Sequence, residues 1–142
     1  MRVVTAPDTK ARDTRVEVDG VVMKGQEGNE FGLACRVQDD KNYYRLVIGG
    51  DGFYGIARVK DGEPAWLGRS QLQLSGIKKG KEVNHIQADC VGKMLTLSIN
   101  GEQIISVEDS EFSSGGVGLT EATAEDKGSL DVLFDNFSVR EP

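Results

Sequence analysis

The sequence predicts an all-β protein, a two-sheet antiparallel β-sandwich, and three observations support this fold class. Apolar and polar residues alternate with a period of two over short segments, as in strands with one buried face. Asp-Gly and Asn-Gly dipeptides, which favour tight hairpin turns, lie between several of these segments. The 142 residues include 15 valines, 7 isoleucines and 6 threonines against 8 alanines and 10 leucines. That composition favours strands over helix bundles.

Seven segments show the alternation, and their apolar residues are expected to face the core. In the first half of the chain these are Val16 and Val18, then Phe31, Leu33, Cys35 and Val37, then Tyr44, Leu46 and Ile48. In the second half they are Ile86, Ala88 and Cys90, then Leu95, Leu97 and Ile99, then Val117 and Leu119, then Leu130, Val132 and Phe134. Short strands separated by regular turns close most naturally into two stacked sheets.

The predicted turns follow the dipeptides Asp19-Gly20, Asp51-Gly52, Asp61-Gly62 and Asn100-Gly101. The best-defined hairpin joins residues 93–100 to 103–107, and Gly92-Lys93 turns its first strand back to residues 84–91. Residues 75–80 are expected to form a short turn, and no long helix is predicted. Since no linker or internal repeat interrupts the pattern, we predict one domain over residues 14–142. Residues 1–13 precede it as an N-terminal stretch or short edge strand.

Charge, apolar segments and cysteines narrow the possible partners. With 17 basic and 23 acidic side chains the net charge is −6, which disfavours binding to nucleic acid. No segment reaches the roughly 20 apolar residues of a membrane span, and none at the N-terminus has signal-peptide length. Cys35 and Cys90 lack metal-ligand spacing, so we expect buried free thiols, with a disulfide as the alternative.

Residues 31–44, FGLACRVQDDKNYY, have the form G-hydrophobic-x-x-R-x-x-D-x-x-N-[FY]-Y, and matching segments follow at residues 51–56, 61–67, 84–86, 97–101, 115–119 and 134–139. Together they resemble the concanavalin A-like lectin/glucanase superfamily, in its laminin G-like or 3-keto-disaccharide hydrolase-like branch, over residues 14–140. The resemblance implies a jelly-roll sandwich and favours an extracellular or cell-surface module.

The N-terminus departs from that resemblance. Such domains usually begin with a further strand well before residues 16–22, whereas only residues 1–13 stand there in this chain. We therefore expect either a truncated module or an open sheet edge that accepts a partner strand, including that of a second copy.

Motifs for catalysis do not accompany the resemblance. Glycoside hydrolysis normally uses two carboxylates, which glucanase-type relatives place on one strand as E-x-D-x-x-E, and this chain has no such run. Glu121, Glu125 and Asp126 fall in a polar loop at residues 121–128 and are expected to be solvated. The single histidine excludes a histidine-rich metal centre. The sequence therefore favours a protein without enzymatic activity.

Sugar recognition needs an aromatic platform together with planar polar groups. If the even-numbered residues from Tyr44 to Ile48 face the core, the odd-numbered residues beside them, Tyr43 and Arg45, point outward. The adjacent strand and the segment Pro64-Ala65-Trp66 add further outward-facing side chains. The alternative is an ordinary sheet surface on which an arginine pairs with an acid and Trp66 covers the end of the core. The candidate ligand-binding residues are Arg36, Tyr43, Arg45, Trp66 and His85.

Calcium is the one cofactor that the resemblance implies. Asp135 stands in a closing Phe-Asp-Asn-Phe motif, where many relatives use the equivalent aspartate as a calcium ligand. One carboxylate combined with backbone carbonyls and waters is a suitable oxygen set for Ca²⁺. The alternative is that Asp135 and Asn136 satisfy backbone groups beside a β-bulge.

These observations lead to one preferred function and two alternatives. The preferred function is a noncatalytic carbohydrate-binding module, with an optional structural calcium ion. The first alternative is a protein–protein interaction or adhesion module that uses a flat sheet or an open edge strand. The second is a glycoside-processing enzyme of the 3-keto-disaccharide hydrolase-like type, which the missing carboxylate pair disfavours.

Overall fold

The computed structural model describes residues 1–24, 29–49, 51–70, 76–78, 81–122 and 131–142. Over these residues the protein is an antiparallel β-sandwich of two sheets without helices, so the predicted all-β sandwich is confirmed. No helix long and apolar enough to cross a membrane occurs among them.

One sheet has six strands and the other has five, and every pairing is antiparallel. The six-stranded sheet has the order β1 (Arg2–Thr5), β10 (Gly116–Ala122), β3 (Glu30–Asp39), β4 (Asn42–Gly49), β5 (Tyr54–Lys60) and β6 (Glu63–Ser70). The five-stranded sheet has the order β11 (Asp131–Arg140), β2 (Thr14–Lys24), β7 (Asn84–Val91), β8 (Met94–Ile99) and β9 (Glu102–Glu108).

The core lies between the two sheets and consists of the apolar residues that alternate along the strands. Burying such side chains is the main favourable term in folding, and the period of two aligns them on one face of each strand. The largest members with no exposed surface include Leu33, Tyr44, Leu46, Ile48, Ile86, Leu95, Leu97 and Ile99. The predicted inward facing of these residues is therefore correct. Val37, also predicted to face the core, lies beyond the bulge at Arg36 and packs instead with Tyr43 on the outer face.

A disulfide between Cys35 and Cys90 crosses the core and joins β3 of one sheet to β7 of the other. The expectation of two free thiols is wrong. The cysteines are 55 residues apart in the chain, and alternation shows only that both point inward. It does not show which inward positions of two stacked sheets lie opposite each other.

Most predicted turns occur where their dipeptides stand, and one does not. Positive φ angles of 53° and 81° at Asp61-Gly62, and of 53° and 86° at Asn100-Gly101, fit tight hairpins. Asp19-Gly20 instead continues β2, with Gly20 paired to Asn84. A Cβ at Gly20 would lie 3.0 Å from the Phe31 ring, so this glycine provides space for a core aromatic. The predicted Leu130, most of the loop 121–128 and half of the turn 75–80 lie outside the described residues.

Candidate functional site

The outer face of the six-stranded sheet, directed away from the core, carries a cluster around the single tryptophan. The guanidinium carbon of Arg45 lies 5.5 Å from the centre of the Trp66 ring, and that of Arg69 lies 5.8 Å from it. Phe53 packs edge-on against the indole at 5.3 Å between ring centres. Glu30 accepts a hydrogen bond from Arg45 Nη2 at 2.7 Å. These five residues are called the Trp66 cluster below.

A β-bulge in β6 aligns Trp66 and Arg69. Trp66 pairs with Ala57, Gly68 with Ile56 and Arg69 with Gly55, so Leu67 is the extra residue. The bulge directs two consecutive residues to the core side, where Leu67 packs against the core. Two residues three positions apart therefore share the outer face.

Small residues beneath the indole leave room for it to lie on the sheet. A Cβ at Gly55 would come within 2.8 Å of Trp66 Cζ3 and 3.1 Å of Arg69 Cβ. Ala57, opposite Trp66, is fully buried. A larger side chain at either position would push the ring away from the strands. Trp66 is therefore half-buried, and the close approach of its ring to the Gly55 backbone sets its position.

Arg45 forms the buried end of the cluster. Its residue exposure is 2%, and its charge is compensated by Glu30, whose side chain is 20% exposed. Arg45 Nε is buried and has no hydrogen-bond partner among the described residues. An unpaired buried donor is costly. Arg45 thus binds the carboxylate of Glu30 and approaches the indole, while its Nε–H has no partner among the described residues.

Tyr43 lies on the same outer face but is 1% exposed. Its ring packs with Ala34, Val37 and Val59. Burial raises the pKa of the phenol. The outward facing of Tyr43 is correct, whereas its expected accessibility to a ligand is wrong, because the ring covers its own small neighbours.

Arg36 is a buried structural group at a bulge near the end of β3, with 2% exposure and a φ of 51°. Its Nε and Nη2 donate to the carbonyl of Arg12 at 3.1 and 2.9 Å, and Nη1 donates to the carbonyl of Phe112 at 3.2 Å. Burial lowers its pKa, although Asp13 stands 3.5 Å away. The structure therefore places Arg36 outside the Trp66 cluster, contrary to the expected shared surface.

His85 belongs to the other sheet, so the expectation that it joins the Trp66 surface is wrong. Its Nε2 lies 3.0 Å from Glu17 Oε1 and its Nδ1 lies 2.7 Å from Asp19 Oδ1. The hydrogen bond to Glu17 is the larger cause of a raised His85 pKa, with the bond to Asp19 adding to it. Because both ring nitrogens face carboxylates, the doubly protonated ring fits this position best.

Asp135 is exposed on β11, and its Oδ1 accepts the backbone N–H of Asn136 at 2.8 Å. The expected bulge is present, with a register shift after Asp135 and a φ of 56° at Asn136. Neighbouring Asp19 bonds Asn136 and His85. In the described part of the chain no group of three His, Cys, Asp or Glu residues could hold a metal. Calcium at Asp135 stays a prediction that one carboxylate supports.

The sequence predicted Arg45 and Trp66 as ligand-binding residues, whereas Glu30, Phe53 and Arg69 were missed. Glu30 alternates with Gly32 and Ala34, so its outer facing was accessible from the sequence. Its closeness to Arg45 depends on the register of β3 against β4. The outward facing of Arg69 could not be predicted without the bulge, since strict alternation from Trp66 would have directed it into the core.

The chain matches no protein-family model and no curated protein sequence. Solved structures nevertheless share its fold. The carbohydrate-binding module CBM66 from Bacillus subtilis has a TM-score of 0.78 at 18% identity, covering 94% of this chain and 78% of that one. CG-16, a homodimeric agglutinin from chicken liver, has a TM-score of 0.67 at 12% identity, covering 97% and 98%.

Sheep galectin-11, solved in complex with glycerol, has a TM-score of 0.64 at 11% identity over 97% of this chain and 94% of that one. At identities this low, the likeness concerns the backbone and not the binding residues. The chain has the jelly-roll sandwich fold that a carbohydrate-binding module and galectins also have.

Proposed function

We propose that this protein is a noncatalytic carbohydrate-binding module whose sugar site is the Trp66 cluster. The observation that carries the proposal is the half-buried indole in contact with Phe53 and two arginines, one of which binds the Glu30 carboxylate. An aromatic face packs against the C–H face of a sugar ring, and planar charged groups hydrogen-bond its hydroxyls.

The accessible groups of the cluster divide the work of recognition. Trp66 supplies apolar surface, and Arg69 is exposed and supplies donors. Glu30 has one oxygen engaged by Arg45, which leaves the other as an acceptor. Arg45 is too buried for extensive contact and positions Glu30 and the ring. The fold shared with a carbohydrate-binding module and galectins supports the same class of ligand. A single ion-paired carboxylate in the cluster does not suit hydrolysis, which normally uses two.

A glycan array, followed by calorimetry on the best ligand, tests the proposal. We expect the wild-type protein to bind at least one class of glycan, and Trp66→Ala to lose about tenfold or more in affinity. Arg140→Ala is the matched control, since Arg140 is an exposed arginine on the other sheet. An array without signal for folded wild-type protein, or equal binding by Trp66→Ala, would contradict the proposal.

Association between copies is a second candidate function, and the rim between β1 and β11 favours it. Val4 and Leu133 are 59% and 56% exposed there. A cavity of about 170 Å³ lies beside them, lined by Arg2, Val4, Leu119, Thr120, Glu121, Val132 and Phe134. Both strands end their sheets, and such edges accept further strands. Among structures of this fold, the chicken agglutinin is homodimeric.

Sedimentation velocity over a range of concentrations tests this second function. We expect the wild-type protein to form dimers and Val4→Lys to shift the equilibrium toward monomer. Val83→Lys is the control, because Val83 is exposed to a similar extent, 51%, but does not line the cavity. A strict monomer at every concentration rules the association out.

The calcium prediction is tested separately from sugar binding. If Asp135 helps to hold a structural ion, EDTA lowers the melting temperature and added CaCl₂ restores it. Asp135→Asn should then remove the response. An unchanged melting temperature in EDTA rejects calcium while leaving the proposed sugar site intact.

A further inference from the structure

We infer that the Trp66 cluster selects sugars that carry a carboxylate, that is, uronic acid residues. This inference rests on the proposed sugar-binding function and narrows its ligand class. It starts from the balance of charge within the cluster and from two guanidinium groups whose hydrogen-bonding capacity is not used.

The first guanidinium is that of Arg69. Its side chain is exposed on the outer face, and its guanidinium carbon lies 5.8 Å from the centre of the Trp66 ring. Within that part of the chain it makes neither an ion pair nor a hydrogen bond. An arginine has five N–H donors arranged to bind a carboxylate through two parallel bonds. Arg69 therefore presents an uncompensated positive charge beside the sugar platform.

The second guanidinium is that of Arg45, whose central carbon lies 5.5 Å from the centre of the Trp66 ring. Its ion pair with Glu30 at 2.7 Å uses Nη2 and neutralises its charge. Its Nε is buried and lacks a partner among the described residues. Because only 2% of this residue is exposed, contact with the ligand is assigned to Arg69, and Arg45 adds an unpaired buried donor to the same cluster.

No carboxylate among the described residues forms an ion pair with Arg69. Glu30 is paired with Arg45, and Asp51 accepts the backbone N–H of Phe53 at 3.1 Å and thus caps its own turn. The protein as a whole carries −6, so long-range attraction does not draw an anion to this surface. Selection must come from short-range, paired hydrogen bonds, for which arginine and carboxylate are matched in shape.

The test compares sugars that differ in one group. Tetrasaccharides of α-1,4-galacturonate, β-1,4-glucuronate and β-1,4-mannuronate are titrated beside their carboxyl-reduced, neutral counterparts. We expect at least one uronate oligomer to bind about tenfold tighter than its neutral partner, as a charge-assisted bidentate pair would give. Higher salt should weaken binding of the uronate and leave binding of the neutral oligomer unchanged.

Variants connect that preference to one side chain. Arg69→Gln should weaken binding of the uronate about tenfold more than binding of the neutral oligomer, so that the preference disappears, and Arg69→Lys should restore part of it. Arg140→Gln on the other sheet should behave as wild type. Circular dichroism and melting temperature confirm that each variant is folded, which is expected because Arg69 lies at an exposed edge position.

Failure of this inference differs from failure of the proposed function. If neutral oligomers bind as tightly as the uronates, or if Arg69→Gln weakens both equally, carboxylate selection is wrong and sugar binding stands. Carboxylate selection is also wrong if none of the six oligomers binds while the glycan array shows binding to neutral glycans. If no glycan binds in either assay, the proposed function fails and the inference fails with it.

Discussion

The two outer faces of this sandwich show different uses of the same strand alternation. On the five-stranded sheet, outward residues form polar pairs that stay in contact with water, such as Arg15 with Asp89 and Thr96 with Ser106. On the six-stranded sheet, outward Tyr43 and Arg45 are almost fully buried. The comparison teaches that facing away from the core is different from being exposed.

The size of neighbouring side chains accounts for the difference. The six-stranded sheet has small residues on its outer face, among them Ala34, Gly55 and Ala57, and the large groups lie down over them. The result is a thin second layer of packing, in which an aromatic ring gains burial against the strands. Outward residues of the five-stranded sheet stay in contact with water, and their ion pairs contribute little to the free energy of unfolding.

The largest expected effect comes from removing the disulfide bond that joins the two sheets. Replacing both cysteines, Cys35→Ala with Cys90→Ala, should lower the free energy of unfolding by about 4 kcal/mol, since the bond closes a long loop across 55 residues. Urea unfolding can be followed by Trp66 fluorescence for one face and by His85 NMR signals for the other. Coincident transitions are expected for both proteins. Separate transitions would show that the two sheets unfold independently.

The next effect tests burial on the outer face directly. Tyr43→Ala should cost about 3 kcal/mol, as for an aromatic residue removed from a core, whereas Thr96→Ala on the opposite face should cost less than about 1 kcal/mol. Tyr43→Phe, which keeps the ring, should cost far less than the alanine variant, less than about 1 kcal/mol. Equal costs for the two alanine variants would mean that the faces do not differ.

A smaller effect concerns the platform for the indole. Gly55→Ala places a methyl group where Trp66 Cζ3 stands 2.8 Å away, so the ring must move outward, at a cost of about 1 kcal/mol. Since Trp66 is the single tryptophan, its fluorescence should shift to longer wavelength. Gly76→Ala is the control, because the nearest atom to its added Cβ is the Glu102 carboxylate at 3.9 Å. An unshifted spectrum for Gly55→Ala would indicate that the indole does not rest on this glycine.

The smallest effect lies on the five-stranded face and depends on pH. His85 faces Glu17 and Asp19 from β2, with Arg140 of β11 also paired to Glu17. Its pKa is raised above the ordinary 6.5. The stability it contributes is therefore complete below that value and lost as the pH rises through the raised pKa.

Solvent limits the size of this effect, since 39% of the His85 side chain is exposed. Wild-type unfolding free energy should fall by less than about 1 kcal/mol above neutral pH. In His85→Gln this fall should disappear, as urea titrations on both sides of neutrality can measure. A fall of the same size in the variant would assign it to another group.

Much of the fold was predictable because alternation acts along one strand at a time. Leu46 and Leu97 face inward, as their place in the alternating pattern predicts. Asn100-Gly101 forms a turn because both residues tolerate positive φ. The Cys35–Cys90 bond was not predictable in this way. It depends on how the two sheets are stacked, which no local pattern encodes.

The candidate site was predictable in part for the same reason. Arg45 and Trp66 were recognised from residue type and facing, but their meeting depends on the order β4, β5, β6 in the sheet. The burial of Tyr43 depends on the small residues of neighbouring strands, which meet it through register. The position of Arg69 depends on a bulge, which interrupts the alternation on which the prediction relied.

That bulge also determines where β6 tolerates a change in length. Leu67 has no partner in β5, whereas Trp66 and Arg69 on either side are paired. Deleting Leu67 would remove some core packing but leave Trp66 and Arg69 on the outer face, because Gly68 would then be the single inward residue between them. Deleting Gly68 would have the same effect on facing, whereas deleting a residue of β6 outside the bulge would reverse the side chains beyond it. Insertions and deletions in homologous chains should therefore concentrate at this position, with the tryptophan and arginine kept on one surface.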